Sequence, residues 1–408
     1  MIRFNVKNIS ILSLLFFILL FLRRGMQLLH PDIWNEDGYF NMGSFILSGW
    51  HNLYEPTQGY LVLIPKLITD ISMSISFIYY PEVSTYLTWL FTIILALTVV
   101  YAPTMLKYPV LAALFIFLIP TNAEAFGLPL FTLWFSAILL FLAALWKPGE
   151  KQIMKNTLLV LAGFSSPTIV IIIPIQIFRM IMLPNKKEEL LTLLLSIGIS
   201  AIQLSFIFSR TVVGDPIQPD FLLLQNIIHK FFAFYYLGAF EVGTVVLWIG
   251  GLYLIVLMVT YFLQNRKDIY FQILVYLFFA TIALSVSRFN PIQINPIFGG
   301  GARYFFLPYI LLSWVLIYML VKNKWYEIAI LPILTLSIIT ALQGFCLTQD
   351  SLNWRKHITL CQNAKGKYSI PIQNDGRAMD SWYFTLDAKI CKQYIENDIF
   401  DLPEMREK

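Results

Sequence analysis

Apolar residues in this chain come in long unbroken blocks, separated by short polar or Pro-containing breaks, with neither strand alternation nor the one-sided spacing of a surface helix. The blocks fall at Ile9–Leu28, Tyr86–Tyr101, Tyr108–Pro120, Leu128–Trp146, Ile153–Phe164, Pro167–Leu183, Leu190–Phe208, Val242–Leu263, Ile269–Val286, Tyr304–Val321 and Trp325–Phe345. They approach or exceed the length needed to cross a hydrocarbon layer of roughly 30 Å. Backbone in that layer must satisfy its own hydrogen bonds, so such blocks predict helices. The expected fold is all-α, a polytopic membrane protein of about eleven transmembrane helices. A membrane domain would cover residues 1–345 and a small extracytoplasmic tail residues 346–408. Gly59–Tyr80 is apolar enough to span but contains Pro65, Lys66 and Asp70, which predicts a shallow helix on the outer surface.

Composition agrees with this pattern: 58% of residues are hydrophobic and 13% charged, a balance outside the range of soluble domains. The net charge of +5 is spread over short loops rather than gathered in a patch, which argues against a nucleic-acid partner. With the N-terminus in the cytoplasm, the inner loops carry Arg3, Lys7, Lys107, Lys147, Lys151, Lys155, Arg179, Lys186, Lys187, Arg266, Lys267, Lys322 and Lys324. Only isolated cations such as Arg210, Lys230, Arg288 and Arg303 face outward. This is the positive-inside pattern, and it sends three longer segments outward, His30–Pro81, Ser209–Glu241 and Asn290–Arg303, together with the tail. No small-residue cleavage site follows the first block, which Arg23 and Arg24 close, so it reads as a retained helix.

Cys346, Cys361 and Cys391 all lie in the tail, where an oxidising compartment would allow one disulfide and leave one thiol. The histidines, His30, His51, His229 and His357, are scattered and give no His/Cys metal pattern. Candidate chemistry gathers in the outer segments. The first reads HPDIWNEDGYFNMGSFILSGW, with Asp32, Glu36 and Asp37 close together before a helical apolar spacing and beside Trp34, Tyr39 and Trp50. Clustered carboxylates raise one another's proton affinity, as a general base requires; the alternative is that Glu36 or Asp37 caps a helix. Glu124 sits in the turn PTNAEAFG, either facing a polar cavity or solvated. Gly299, Gly300 and Gly301 precede Arg303 and Tyr304, so backbone can approach a ligand there and a guanidinium can meet a phosphate, unless it reaches for lipid headgroups. Arg23 and Arg24 stand in the outer half of the first span, suited to neutralising the acids or meeting a lipid phosphate. Ser165-Ser166-Pro167 reads as a tight turn, since no histidine is placed to serve as base to a serine.

The order DIWNEDGYF, PTNAEAF, SSPTIVIIIPIQIFR and GGGARYFFLP resembles the multi-spanning GT-C glycosyltransferases of bacteria, especially the serotype-converting O-antigen glucosyltransferases of phage type. The resemblance implies a polyprenyl-phosphate sugar donor, a glycan acceptor on the periplasmic face of the inner membrane, and an inverting displacement. It also implies Asp37 or Glu36 as base, Asp32 and Glu124 orienting the acceptor, and Arg303 on the leaving phosphate with Tyr304 and Arg24 nearby. A flippase and a donor synthase would be expected partners alongside membrane lipids. Some relatives bind a divalent metal through their acidic pair, and the sequence does not decide that here. The tail is shorter than the soluble domain of larger members; Trp382, Tyr383 and Asp387 could touch a glycan or pack as a small lid. Competing readings are a lipid-linked glycan flippase or transporter, disfavoured by spans nearly free of charge, and an O-antigen polymerase or ligase.

Overall fold

The structure is a computed structural model that describes residues 6–209, 219–297, 301–320, 324–346, 348–374 and 377–400. Arg3, Arg210, Gly299, Gly300 and Lys322 lie outside the described residues. In chain order the helices are α1 (Val6–Leu29), α2 (Gly43–Ser48), α3 (Leu63–Ile75), α4 (Tyr80–Tyr101), α5 (Pro109–Phe117), α6 (Thr132–Ala144), α7 (Gln152–Gly163), α8 (Ile172–Met182) and α9 (Lys186–Phe208). They continue as α10 (Phe221–Ile227), α11 (Phe234–Leu237), α12 (Thr244–Gln264), α13 (Ile269–Arg288), α14 (Phe306–Met319) and α15 (Lys324–Leu342). The tail adds α16 (Trp354–Gln362), β1 (Lys367–Asn374), β2 (Arg377–Asp387) and α17 (Ala388–Glu396).

Among the described residues, 7 helices are long and apolar enough to cross a membrane: α1, α4, α9, α12, α13, α14 with its lead-in from Ala302, and α15. The chain is thus a mostly helical, multi-pass membrane protein. The other four expected spans are helices α5 to α8, of 9 to 13 residues. At about 1.5 Å per residue these stop short of the hydrocarbon thickness, so the expectation of about eleven full spans is not met by length. Burial explains why hydropathy alone does not tell a span from a core helix. All but one residue of α6 and every residue of α14 are buried, and a helix apolar on all sides is the signature of a protein core as much as of a lipid-facing span.

Two outer segments also depart from expectation. Gly59–Tyr80 holds α3, which is packed rather than shallow: Ile64, Lys66, Ile68, Asp70 and Met73 are buried. Its polar groups are met inside the protein, Lys66 Nζ donating to the carbonyls of Asn52 (2.7 Å) and Glu55 (2.6 Å) and Asp70 accepting from the Asn52 amide (2.6 Å). Burial, the largest influence, pushes the Lys66 ammonium down to about 8 and the Asp70 carboxyl up to about 6. Within Ser209–Glu241, a segment read as outward with no helix assigned, the stretch Phe221–Leu237 is an apolar helix that plants Phe231, Phe232 and Tyr235 in the main core.

At the ends of α7, α8 and α9 lies a sealed ionic cluster. Arg179 grips Glu189 through two bonds (2.9 and 2.7 Å), Lys155 adds a third (3.0 Å), and Arg179 also donates to the Ala144 carbonyl (2.9 Å). All three side chains are buried. At the opposite end, Ser165 Oγ accepts from the backbone N–H of Ile64 (3.0 Å), so the Ser-Ser-Pro turn serves as a joint between α7 and α3.

The tail corrects the all-α expectation with an antiparallel hairpin, β1 paired to β2 from Lys367 opposite Asp387, with a register shift between Pro371 and Gln373. A disulfide joins Cys361 of α16 to Cys391 of α17, and Cys346 is a free, exposed thiol. Its apolar side does not hang free. Trp354, Ile370 and Phe384 share one hydrophobic core with Ile33, Met42 and Phe77 of the first inter-helix segment. Asp398 accepts from the Ser76 hydroxyl and from the backbone N–H groups of Phe77 and Ile78 (2.7 to 2.9 Å), capping the α3–α4 turn.

Candidate functional site

The site begins where α1 breaks. Arg24 has non-helical backbone angles inside α1, and the preceding Arg23 is wholly buried, donating to the Phe117 and Thr121 carbonyls (2.7 Å each) and to that of Ile119. The last carbonyls of a helix lack intrahelical partners, so one guanidinium here closes the end of α5 and fixes the turn that follows it. The backbone at Gly344 comes so close that an added Cβ would stand 2.6 Å from the Thr121 carbonyl oxygen and 2.9 Å from Arg23 Nη1; only glycine fits.

That turn presents Glu124 to Arg303, which arrives on the lead-in to α14. Arg303 Nη1 bonds Glu124 at 2.5 Å and Nη2 bonds Glu36 at 3.1 Å. Gly301, at φ +86, turns its N–H onto the other Glu124 oxygen (3.1 Å), a left-handed conformation that favours glycine. The guanidinium lies against the rings of Phe131 and Tyr304. Three segments far apart in sequence thus meet in one charged cluster. Its exposure is graded: the Glu124 side chain is 2% accessible, Glu36 15% and Arg303 21%.

Asp37, adjacent to Glu36, faces inward. It opens a π-helical turn, Asp37–Met42, that runs into α2, and its Oδ1 accepts from the Leu130 N–H (2.7 Å) and the Asn41 amide (3.1 Å). Neither Glu36 nor Asp37 makes a side-chain capping bond to its own helix, so the helix-capping alternative does not describe them. Asp37 Oδ2 is buried and accepts no hydrogen bond from a described residue. Burial pushes its carboxyl up to about 8, with the neighbouring Glu36 charge adding to the rise and Arg24 opposing it.

Asp32 turns away from this cluster toward the tail. Its Oδ2 accepts from the Leu352 N–H (3.0 Å) and the Gln373 amide (3.2 Å), and burial raises its carboxyl to about 6. Arg24 is buried, donates to the Ala123 carbonyl (3.0 Å) and lies over Trp34, so it serves the same turn as Arg23 and sets its charge toward Asp37. Among the aromatics, Trp34 is buried against Phe131, whereas Tyr39 and Trp50 are exposed. Of the tail residues singled out, Asp387 caps α17 by accepting from the Lys389 N–H (2.9 Å).

Two neighbours were not picked out as site residues by the sequence, although Arg288 counts among its outward cations. The Tyr60 hydroxyl lies within electrostatic reach of Tyr304, Glu36, Arg288 and Arg303, and its burial pushes it up to about 12, a proton donor at neutral pH. Arg288, in the last turn of α13, is exposed and precedes Phe289, whose ring stacks on Tyr304 at 4.5 Å. Neither residue stands in a recognisable motif. No group of three or more His, Cys, Asp and Glu among the described residues could hold a metal ion, and Arg303 stands between Glu36 and Glu124 where a shared cation would have to sit. The described residues therefore do not fit a metal held by that acidic pair. No family model, curated protein or solved structure matches the chain.

Proposed function

We propose that the chain is a membrane glycosyltransferase that moves a hexose, glucosyl on the resemblance noted above, from a polyprenyl-phosphate sugar to a cell-surface glycan on the periplasmic face of a bacterial inner membrane. The observation that carries the reading is the convergence of Glu36, Glu124 and Arg303 from three distant segments into a partly open cluster at one end of the helices. A cluster needed only for stability gains nothing from being left open to solvent, where an ion pair contributes little.

Glu36 is the base. Of the clustered Asp32, Glu36 and Asp37 it is the accessible carboxylate, whereas Asp37 is sealed in and holds its proton near neutral pH. The acceptor hydroxyl oxygen attacks the anomeric carbon, its proton passes to Glu36, and the bond from that carbon to the phosphate oxygen breaks with its electron pair remaining on the lipid phosphate. One displacement inverts the anomeric centre. Arg303 holds Glu36 beside Glu124, and Asp37 fixes the turn that carries Glu36 through Leu130 and Asn41.

The test is transfer of radiolabelled glucose from polyprenyl-phosphate glucose to lipid-linked O-antigen in membranes carrying the wild-type chain or Glu36→Gln. Labelled acceptor with the wild type and none with the variant is expected. Full transfer by the variant would remove Glu36 as base, and no transfer by either would remove the reaction. Reporter fusions after Asp70, Lys187 and Lys408 test the orientation; a cytoplasmic signal at Lys408 contradicts it.

A further inference from the structure

The donor of this reaction carries a phosphate, and Arg303 is poorly placed to receive it. Both of its Nη groups are engaged by carboxylates. Two carboxylates on one guanidinium also leave a net negative charge, which repels an incoming phosphate by Coulomb's law unless further positive charge stands nearby. Arg23 is spent on backbone carbonyls and Arg24 is buried over Trp34. Lys230 is committed to the carbonyls of Ile292 (3.1 Å) and Ile294 (3.0 Å) and to that of Pro291, and burial pulls its ammonium down.

Arg288 differs from all of these. It is exposed, and among the described residues its side chain makes no ion pair or hydrogen bond. Its position is firmly set. Phe289 stacks on Tyr304, Ser285 Oγ donates to the Tyr304 carbonyl (2.7 Å), and Lys230 pins the segment that follows. The helix end that carries Arg288 is therefore docked against the residue next to Arg303. The same helix exposes Tyr276 and Phe279, so it borders the lipid from which a prenyl chain would arrive.

We propose that Arg288 is the group that receives the phosphate of a lipid-linked donor, with the Tyr60 hydroxyl as a second donor to it, while Arg303 keeps the two carboxylates in register. This rests on the transfer reading above and adds to it the residue that recognises the donor's charged group. A guanidinium offers paired N–H donors to phosphate oxygens, and a neutral phenol adds one more. As the glycosidic bond breaks, Arg288 would meet the charge that builds on the departing phosphate.

The chemistry recognised is a phosphate on a lipid at the interface, which an ordinary anionic phospholipid also carries, and the experiment separates the two. The full chain, in phosphatidylcholine nanodiscs, is titrated with undecaprenyl phosphate, with undecaprenol and with phosphatidylglycerol, as wild type, Arg288→Ala, Arg288→Lys and Tyr60→Phe. The expected result is binding of undecaprenyl phosphate in preference to the other two, weakened roughly tenfold or more by Arg288→Ala, as loss of a charge-assisted contact requires. Arg288→Lys should recover part of the affinity and Tyr60→Phe lose a smaller part. Thermal unfolding should be unchanged, since Arg288 is exposed. Wild-type affinity in Arg288→Ala overturns this proposal and leaves the transfer reading intact. Equal, Arg288-dependent binding of phosphatidylglycerol overturns it too, and reduces Arg288 to a headgroup anchor. If the wild type does not prefer the phosphate over undecaprenol, both this proposal and the choice of donor fall.

Discussion

At one end of the helices a single arginine, Arg303, is shared by two carboxylates; at the other a single carboxylate, Glu189, is shared by two cations. The bond lengths are comparable, and the surroundings are not. Lys155, Arg179 and Glu189 are sealed from solvent, and their geometry is complete: two bonds from one guanidinium, a third from the ammonium, and a carbonyl for the remaining Nη. The Arg303 cluster is incomplete by comparison. Its Glu124 arm is tight and doubled by the Gly301 N–H, and its Glu36 arm is single, longer and partly open. Similar side-chain chemistry thus makes a sealed joint in one place and a partly open cluster in the other. What separates them is access and spare hydrogen-bonding capacity, and charge type alone does not.

Substitutions can break that contrast. Glu36→Gln should lower transfer by about 10²- to 10⁴-fold, the usual worth of a general base, with the thermal unfolding curve unmoved; a variant that loses stability and activity together would make Glu36 another joint. Glu189→Gln should do the reverse. It strands two buried cations, which costs about 3–5 kcal/mol, and the measurement is unfolding in detergent alongside membrane yield. A stable, well-inserted Glu189→Gln protein would show that the sealed cluster is not holding α7, α8 and α9.

Smaller effects sharpen the picture. The double change Cys361→Ser, Cys391→Ser should cost about 2–4 kcal/mol in the tail, read as faster proteolysis of residues 348–400 and reduced transfer while the membrane helices stay folded. The smallest is a slope. The Asp37 carboxyl titrates near 8 in the folded protein against its ordinary 3.8, so between those values the folded state keeps a proton that the unfolded chain has released. Stability from this group is complete below about pH 4 and is lost as pH rises through about 8. Wild-type unfolding temperature should therefore fall more steeply from about pH 5 to about pH 9 than that of Asp37→Asn; parallel slopes would mean the carboxyl is not buried as described.

Much of this was readable from residue types. Glu36, Glu124 and Arg303 carry charge between apolar blocks, and the alternating direction of the helices brings them to one end. Where sequence reading went astray, the cause is burial. Lys155 and Arg179 count as loop cations by position, yet they lie in a buried triad, so their charge reports packing as much as topology. Asp32, beside two other acids in the chain, is claimed by Gln373, a partner that neither spacing nor charge announces. Phe221–Leu237 falls in a stretch read only as an outward segment, although its aromatic side chains fill the core. Tyr60 gave no signal, and Arg288 none beyond its place among the outward cations, because each stands in no motif and meets its neighbours only on folding.

The clamp between Asp32 and Gln373 also bears on the order of assembly. Its two partners are separated by 341 positions, and a ribosome adds only about 5–20 residues per second. The first segment must therefore wait, inserted and unbraced, for tens of seconds or longer until the strand that completes it has been made. A chain interrupted before Gln373 would already own every charged group of the cluster and still lack the contact that braces its first segment.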